Sequence, residues 1–199
     1  MPVLLPGPGE PLPLLLANTV WADRSGVHDN LETPAALTAW LDAVGPLSDA
    51  PGRGGATVRR SDLAVARRLR AAIRTLAAAV TDDPRPAAAP TTYGMGAPRA
   101  ASVVSATAAL APAVPRLHWP EQRRSLEVPR GVRRPEAALA AVAGAAVALF
   151  ALPDAGDVRA CLAPGCVLYF VKDHPRREWC GPACGNRARA ARHYRRHRG

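Results

Sequence analysis

CLAPGCVLYFVKDHPRREWCGPACGNRARAARHYRRHR, residues 161–198, holds all four cysteines of this 199-residue chain. Cys161, Cys166, Cys180 and Cys184 follow the pattern C-x4-C-x13-C-x3-C. Two close pairs separated by a loop suit a four-thiolate zinc site. Zinc takes four ligands at tetrahedral corners, each sulfur about 2.3 Å from the metal. Each pair supplies one edge of the tetrahedron. Pro164-Gly165 before Cys166, and Gly181-Pro182 after Cys180, are turn chemistry for the two knuckles. The expectation is one structural Zn2+ on these four residues. Two disulfides would need an oxidising compartment, and the start MPVLLPGPGEPLPLLLAN has no positively charged leader region. His174, His193 and His197 are rival ligands. Only eight residues separate Cys184 from His193, short for a two-Cys two-His finger, and that ligand set leaves two cysteines unused.

A unit of 43 residues is near the size at which metal is needed for folding. Zinc contributes on the order of 10 kcal/mol in such modules. Leu168, Tyr169, Phe170 and Trp179 are its expected miniature core, with a strand over Val167 to Val171. A metal-closed hairpin and then a helix should follow. In that helix Ala190, Ala191 and Tyr194 are placed on the packing face, and Asn186 is read as a local cap. Arg189, Arg192 and Arg196 share another face, Arg195 and Arg198 add charge at the end, and no acidic residue follows Glu178. Together with Arg176, Arg177 and Arg187 they form the candidate nucleic-acid surface, aimed at the phosphate backbone of DNA. The bland alternative is a solvated basic tail. The functional alternative is a protein-interaction module whose basic helix docks on an acidic partner of the transcription machinery.

Composition agrees with an anionic partner. The net charge is +10, from 26 basic and 16 acidic side chains, and Lys172 is the only lysine. Arginine over lysine fits a GC-rich coding sequence and says little; placement says more. Residues 1–58 carry net −4, residues 59–156 net +7, and residues 157–199 net +7. Charge density therefore rises toward the cysteines, which excludes an ordinary acidic enzyme and favours nucleic acid over membrane. The longest apolar stretch, Ala137 to Leu152, is 16 residues, short of the roughly 20 that a membrane span needs. No P-loop, GxGxxG, HExxH or GxSxG occurs. His28 near Asp23 and Asp29 is the single hint of acid–base chemistry and reads better as a loop histidine. A non-enzymatic, cytoplasmic protein is expected.

Upstream, Leu14 to Trp21 suits a short helix or buried segment, and Asp23 to Leu31 reads as a polar turn. Thr33 caps and Pro34 begins a helix bearing Leu37, Trp40, Leu41 and Val44, stopped by Gly45-Pro46. Residues 49–57 are a Gly/Pro loop. Ser61-Asp62 open a second helix with an apolar stripe from Leu63 to Val80. Its Arg59, Arg60, Arg67, Arg68, Arg70 and Arg74 are read as a solvated face. Ser102 to Val104 and Leu117 to Trp119 are β-compatible and suggest a hairpin. Pro135-Glu136 start another helix to about Leu152, and Pro153 to Gly156 is a natural boundary. The chain thus divides into 1–155, mainly helical with a small β component, and 156–199, a four-Cys finger.

The segment from Cys161, with Cys184-Gly185-Asn186-Arg187, Trp179-Cys180 and the basic helix holding Tyr194, resembles the CGNR zinc finger, a bacterial C-terminal module. Asn18-Thr19, Asp29-Asn30-Leu31 and Trp40-Leu41 resemble the ABATE domain that precedes such fingers. The resemblance implies a mainly helical N-terminal domain with a few strands, a zinc finger that binds DNA, and a stress-induced transcription regulator. The chain departs from the family at Asp173-His174-Pro175, where an Asp-x-Ser/Thr stretch is usual.

Overall fold

The computed structural model describes residues 9–44, 57–85, 94–127, 131–151 and 157–197, with backbone only at 124 and 126. The order is α1 (Leu12–Ala17), β1 (Val20–Asp23), β2 (Gly26–Asp29), α2 (Pro34–Val44), α3 (Arg60–Val80), α4 (Ala97–Ala108), β3 (Val114–His118), β4 (Arg123–Glu127), α5 (Arg134–Ala151), β5 (Val158–Ala160), β6 (Tyr169–Val171) and α6 (Pro182–His197). The described residues are mainly α, with three two-stranded antiparallel sheets among them. The expected stop at Gly45-Pro46, nearly all of the 49–57 loop and the boundary at Pro153 to Gly156 lie outside the described residues.

Local rules account for most helices. Thr33 Oγ1 accepts the Ala36 N–H at 3.1 Å, and α2 then buries Leu37, Trp40 and Leu41. At the start of α3 the Asp62 carboxylate accepts the Arg59 N–H at 2.7 Å. Leu63, Ala66, Leu69, Ile73 and Ala77 recur on one buried stripe of α3. Arg133 reaches back from the start of α5 to both Asp62 and Glu136, tying the first turns of α3 and α5. The apolar stretch becomes α5, long and apolar enough to cross a membrane by length and composition. Here it packs on α4, α1 and α3, with Ala138, Leu139, Val142, Ala143 and Ala146 inside the main core.

Three local readings are corrected. Ser102 to Val104 belong to α4, because Ala100, Val103, Val104 and Thr107 fall on one helical stripe that the core buries. Burial outweighs the β preference of two valines. The hairpin near them pairs Val114–His118 with Arg123–Glu127 instead, taking Leu117 and His118 into β3 and Trp119 into its turn. The polar stretch after Asp23 is not a simple turn: β1 and β2 pair from Val20↔Asp29 to Asp23↔Gly26, with Gly26 at φ +130 closing the loop.

Arg59 and the arginines of α3 divide, with Arg67 between the two groups, half-buried and donating to the Leu31 carbonyl at 2.9 Å. Arg59, Arg60 and Arg68 are exposed, as a solvated face requires. Arg70 and Arg74 are 1% and 0% exposed. Arg70 forks onto Asp29 at 2.6 and 2.7 Å and reaches Thr19 Oγ1 at 3.0 Å. Arg74 donates to the Ala17 carbonyl at 2.8 Å and to the Val167 carbonyl at 2.7 Å. Burial lowers its pKa to about 10, so it remains charged at neutral pH.

Arg74 thereby ties the helical domain to the finger, and neighbours join it. The Asn18 amide donates to the Tyr169 carbonyl at 2.7 Å and accepts the Tyr169 N–H at 3.0 Å. The Tyr169 hydroxyl donates to Asp83 at 2.6 Å. The guanidinium groups of Arg74 and Arg85 stand 5.1 and 4.8 Å from the Tyr169 ring centroid. Glu10 accepts the Val171 N–H at 3.0 Å. Tyr169 is therefore not part of the finger's own core, as read from sequence. It packs with Leu14, Ala77 and Val158, because alternation along β6 sends Tyr169 one way and Phe170 the other.

Arg74→Met keeps volume but leaves two buried carbonyls without a donor. It should cost about 3 kcal/mol, read as a lowered urea midpoint by circular dichroism; a loss under about 1 kcal/mol would contradict the assigned role. Asp29 is held below the ordinary carboxylate range: burial works to raise it, and the hydrogen bonds and charge of Arg70 outweigh that. Its stabilising contribution is present above pH about 4 and lost as pH falls through the depressed folded value. Asp29→Asn should be destabilised at pH 7, with the gap to the parent narrowing below pH about 3.

Candidate metal centre and basic face

Two knuckles and the first turn of α6 bring the cysteines together. Gly165, at φ +72, makes the turn that lets the Cys166 N–H reach the Ala163 carbonyl at 2.9 Å. The Leu168 N–H points at Cys166 Sγ at 3.5 Å, and the Cys161 N–H pairs with the Leu168 carbonyl at 3.0 Å. Pro182 opens α6, so Cys184 sits in its first turn. The four Sγ atoms lie within 4.8 Å of one another, with Cys166–Cys180 at 3.9 Å and Cys180–Cys184 at 3.4 Å. A tetrahedron with Zn–S of about 2.3 Å has edges of about 3.8 Å, so the donor set fits one zinc ion. No disulfide links these residues.

The electrostatics suit a cation there. Hydrogen bonding to Cys166 pulls the Cys161 thiol down, while hydrogen bonding to Cys161 pushes Cys166 and Cys180 up. Four thiols this close cannot all ionise unless a metal balances them. Two arginines supply the outer layer. Arg187 donates to Cys184 Sγ at 3.0 Å. Arg85, from the loop after α3, donates to the carbonyls of Cys161 at 3.1 Å, Cys166 at 3.2 Å and Leu168 at 2.9 Å, while Asp83 grips its other nitrogens at 2.6 and 2.7 Å. Arg85 was not legible as a site residue. Its motif, Asp83-x-Arg85 in a Pro-rich loop, carries no signal without the fold.

The rival histidines stand apart from the thiols. His174 is exposed and accepts the Arg176 N–H at 3.1 Å, and the His193 and His197 rings face each other at 4.3 Å on α6. The structure brings together Ser25, His28 and Asp23 at the tip of the first hairpin. Both oxygens contact the same His28 nitrogen, at 3.0 and 2.8 Å, whereas a catalytic relay needs them on opposite nitrogens. The imidazole stacks on Trp21 at 4.3 Å and serves the hairpin.

The candidate arginines fall into three groups. Arg187 faces the thiols, and Arg177 pairs with Glu10 and Asp173 while lying over Phe170 at 5.0 Å. Arg189 is exposed and donates to Asn186 Oδ1. Arg176, Arg192, Arg195 and Arg196 are exposed with no side-chain hydrogen bond or ion pair among the described residues; Arg198 lies outside these. The packing face of α6 is Cys184, Gly185 and Ala188, with Ala191 half-buried. Ala190 and Tyr194, expected on that face, are exposed, Tyr194 at 66%. Cys184 fixes which side of the helix meets the metal, and i+3, i+4 and i+7 follow it. Asn186 is likewise not a cap: it lies in the second turn of α6 and holds Arg189.

Residues 10–153 match the family model for ABATE, described as "Putative stress-induced transcription regulator". Residues 158–197 match the CGNR zinc finger. No curated protein matches the chain.

Purified protein should carry about one zinc per chain, and Cys184→Ser should lose it, both read by a chelator-release assay. Arg187→Leu should retain the metal with about 10-fold weaker affinity in chelator competition, the effect of removing an outer-layer hydrogen bond.

Proposed function

We propose that this chain, which belongs to the ABATE family and ends in a CGNR zinc finger, acts in the cytoplasm as a transcription regulator that lays α6 on DNA. The observation that supports this most is the unneutralised basic row of α6. Arg189, Arg192 and Arg196 follow one helical stripe, and Arg192 and Arg196 have no protein partner among the described residues. At 1.5 Å per residue the row spans about 10 Å, the reach of about three phosphates on one strand.

Bound zinc cross-links the four thiolates and so fixes the two knuckles against α6. The chain's own residues do the rest. Arg187 holds Cys184, Arg85 holds the knuckle carbonyls, and the free arginines of α6 meet phosphate oxygens. Arg176 extends the surface, whereas Arg177 and Arg187 serve structure first. The helical domain holds this face through Asn18 and Arg74 and is the part of the chain open to a regulatory signal. Catalysis has no place in this reading. The alternative, docking on an acidic protein, draws support from Tyr194, an exposed ring among the arginines.

Log affinity for duplex DNA should fall linearly with log salt, with a slope of about −0.9 per phosphate contacted. Arg196→Ala should flatten the slope by about one unit in an anisotropy titration. Absence of binding at about 50 mM salt would overturn the reading, and capture of an acidic protein that DNA does not compete would favour the alternative.

A further inference from the structure

Trp179 and Arg189 converge on one point of the finger surface. A Cβ on Gly185 would lie 3.2 Å from Trp179 Cδ1 and 3.4 Å from Arg189 Nη1, so the two side chains close over a residue that has none. Asn186 holds the Arg189 guanidinium from the same helix. Beside them opens a groove of about 430 Å³, lined by Trp179, Arg189, Arg177, Asp173, Gly181 and Pro182. Small-ligand sites run from about 300 to 1,000 Å³. Trp179 is half-buried, packed on the finger core on one side. Arg177 is occupied by Glu10 and Asp173. Arg189 gives one bond to Asn186, and a guanidinium carries five N–H donors, so it keeps a fork to offer.

Position on the helix links this groove to the basic row. Gly185, Arg189, Arg192 and Arg196 stand at i, i+4, i+7 and i+11, one stripe of α6. A strand whose phosphates follow Arg192 and Arg196 is led at the Arg189 end of the row to the indole.

We infer that this groove holds one base of the bound nucleic acid, the indole of Trp179 stacking on the base and the Arg189 fork meeting the paired acceptors O6 and N7 of a guanine. The assignment rests on the DNA reading above and supplies it with a base preference. Stacking tolerates any base, whereas a bidentate arginine selects guanine. An unpaired or displaced base gives the indole access to its face, so single strands should show the effect more strongly than duplexes.

The test uses the full zinc-loaded chain and labelled oligonucleotides of about 15 residues, single-stranded and duplex, with guanine, adenine or an abasic position at the centre. Guanine should bind about 10-fold tighter than the abasic probe in the single-stranded arm, with adenine between them. Arg189→Gln should erase the difference between guanine and adenine. Trp179→Ala should erase most of the difference between base and abasic site, and Trp179→Phe should keep it. Arg196→Ala should weaken all probes alike. If Trp179→Ala loses its zinc, the exposed Arg189→Gln and the conservative Trp179→Phe carry the test. Equal affinity for guanine, adenine and abasic probes, with the salt slope intact, overturns the groove assignment and leaves the DNA reading standing. No binding to any probe overturns both.

Discussion

Two guanidinium groups buried around one tyrosine hold this protein together. Moving a charge out of water costs several kcal/mol unless hydrogen bonds replace the lost solvent. Arg74 meets that cost with the Ala17 and Val167 carbonyls, one from the end of α1 and one from the first knuckle. Arg85 meets it with Asp83 and three carbonyls of the knuckle. Both cover the faces of Tyr169. Because each cation is satisfied only when the finger is in place, the helical domain and the finger are each other's folding partners. The metal centre settles the shape of the knuckles, and the arginines settle where the knuckles sit.

The CGNR run can now be read letter by letter. Cys184 is the fourth thiolate. Gly185 leaves room for Trp179 and Arg189, which a methyl group would push aside. Asn186 orients Arg189, and Arg187 turns inward to the sulfur of Cys184. Four consecutive residues thus serve four sides of one helix turn. Two of the four, Cys184 and Arg187, serve the metal centre, and the other two, Gly185 and Asn186, serve Arg189.

What the sequence made legible was whatever repeats or caps locally. The cysteine spacing, the Thr33-Pro34 start, the stripe from Leu63 to Val80 and the Ala-rich α5 each declare themselves within a few turns of chain. What it hid was non-local. Arg70 and Arg74 carry the same letter as Arg60 and Arg68, and burial is decided by Asp29, Ala17 and Val167, up to 93 residues away. Val103 and Val104 look like strand residues until α3 and α5 cover them. Tyr194 looked like packing surface because an aromatic suits a core, yet its place on the helix was already set by Cys184. Burying arginine is the step that composition and periodicity do not announce.

The clasp between Asn18 and Tyr169 joins residues 151 positions apart by two backbone-like hydrogen bonds. The two family matches meet between residues 153 and 158, which invites dissection of the chain there. Cut at that seam, the finger would lose Glu10, Asn18, Arg74 and Arg85 in one stroke. Tyr169 would be stripped of its cover, and Arg74 and Arg85 would each lose their knuckle carbonyls. The frontier drawn by ancestry is thus not one along which the molecule comes apart, and a fragment chosen by homology would be studied in a state the whole chain never visits.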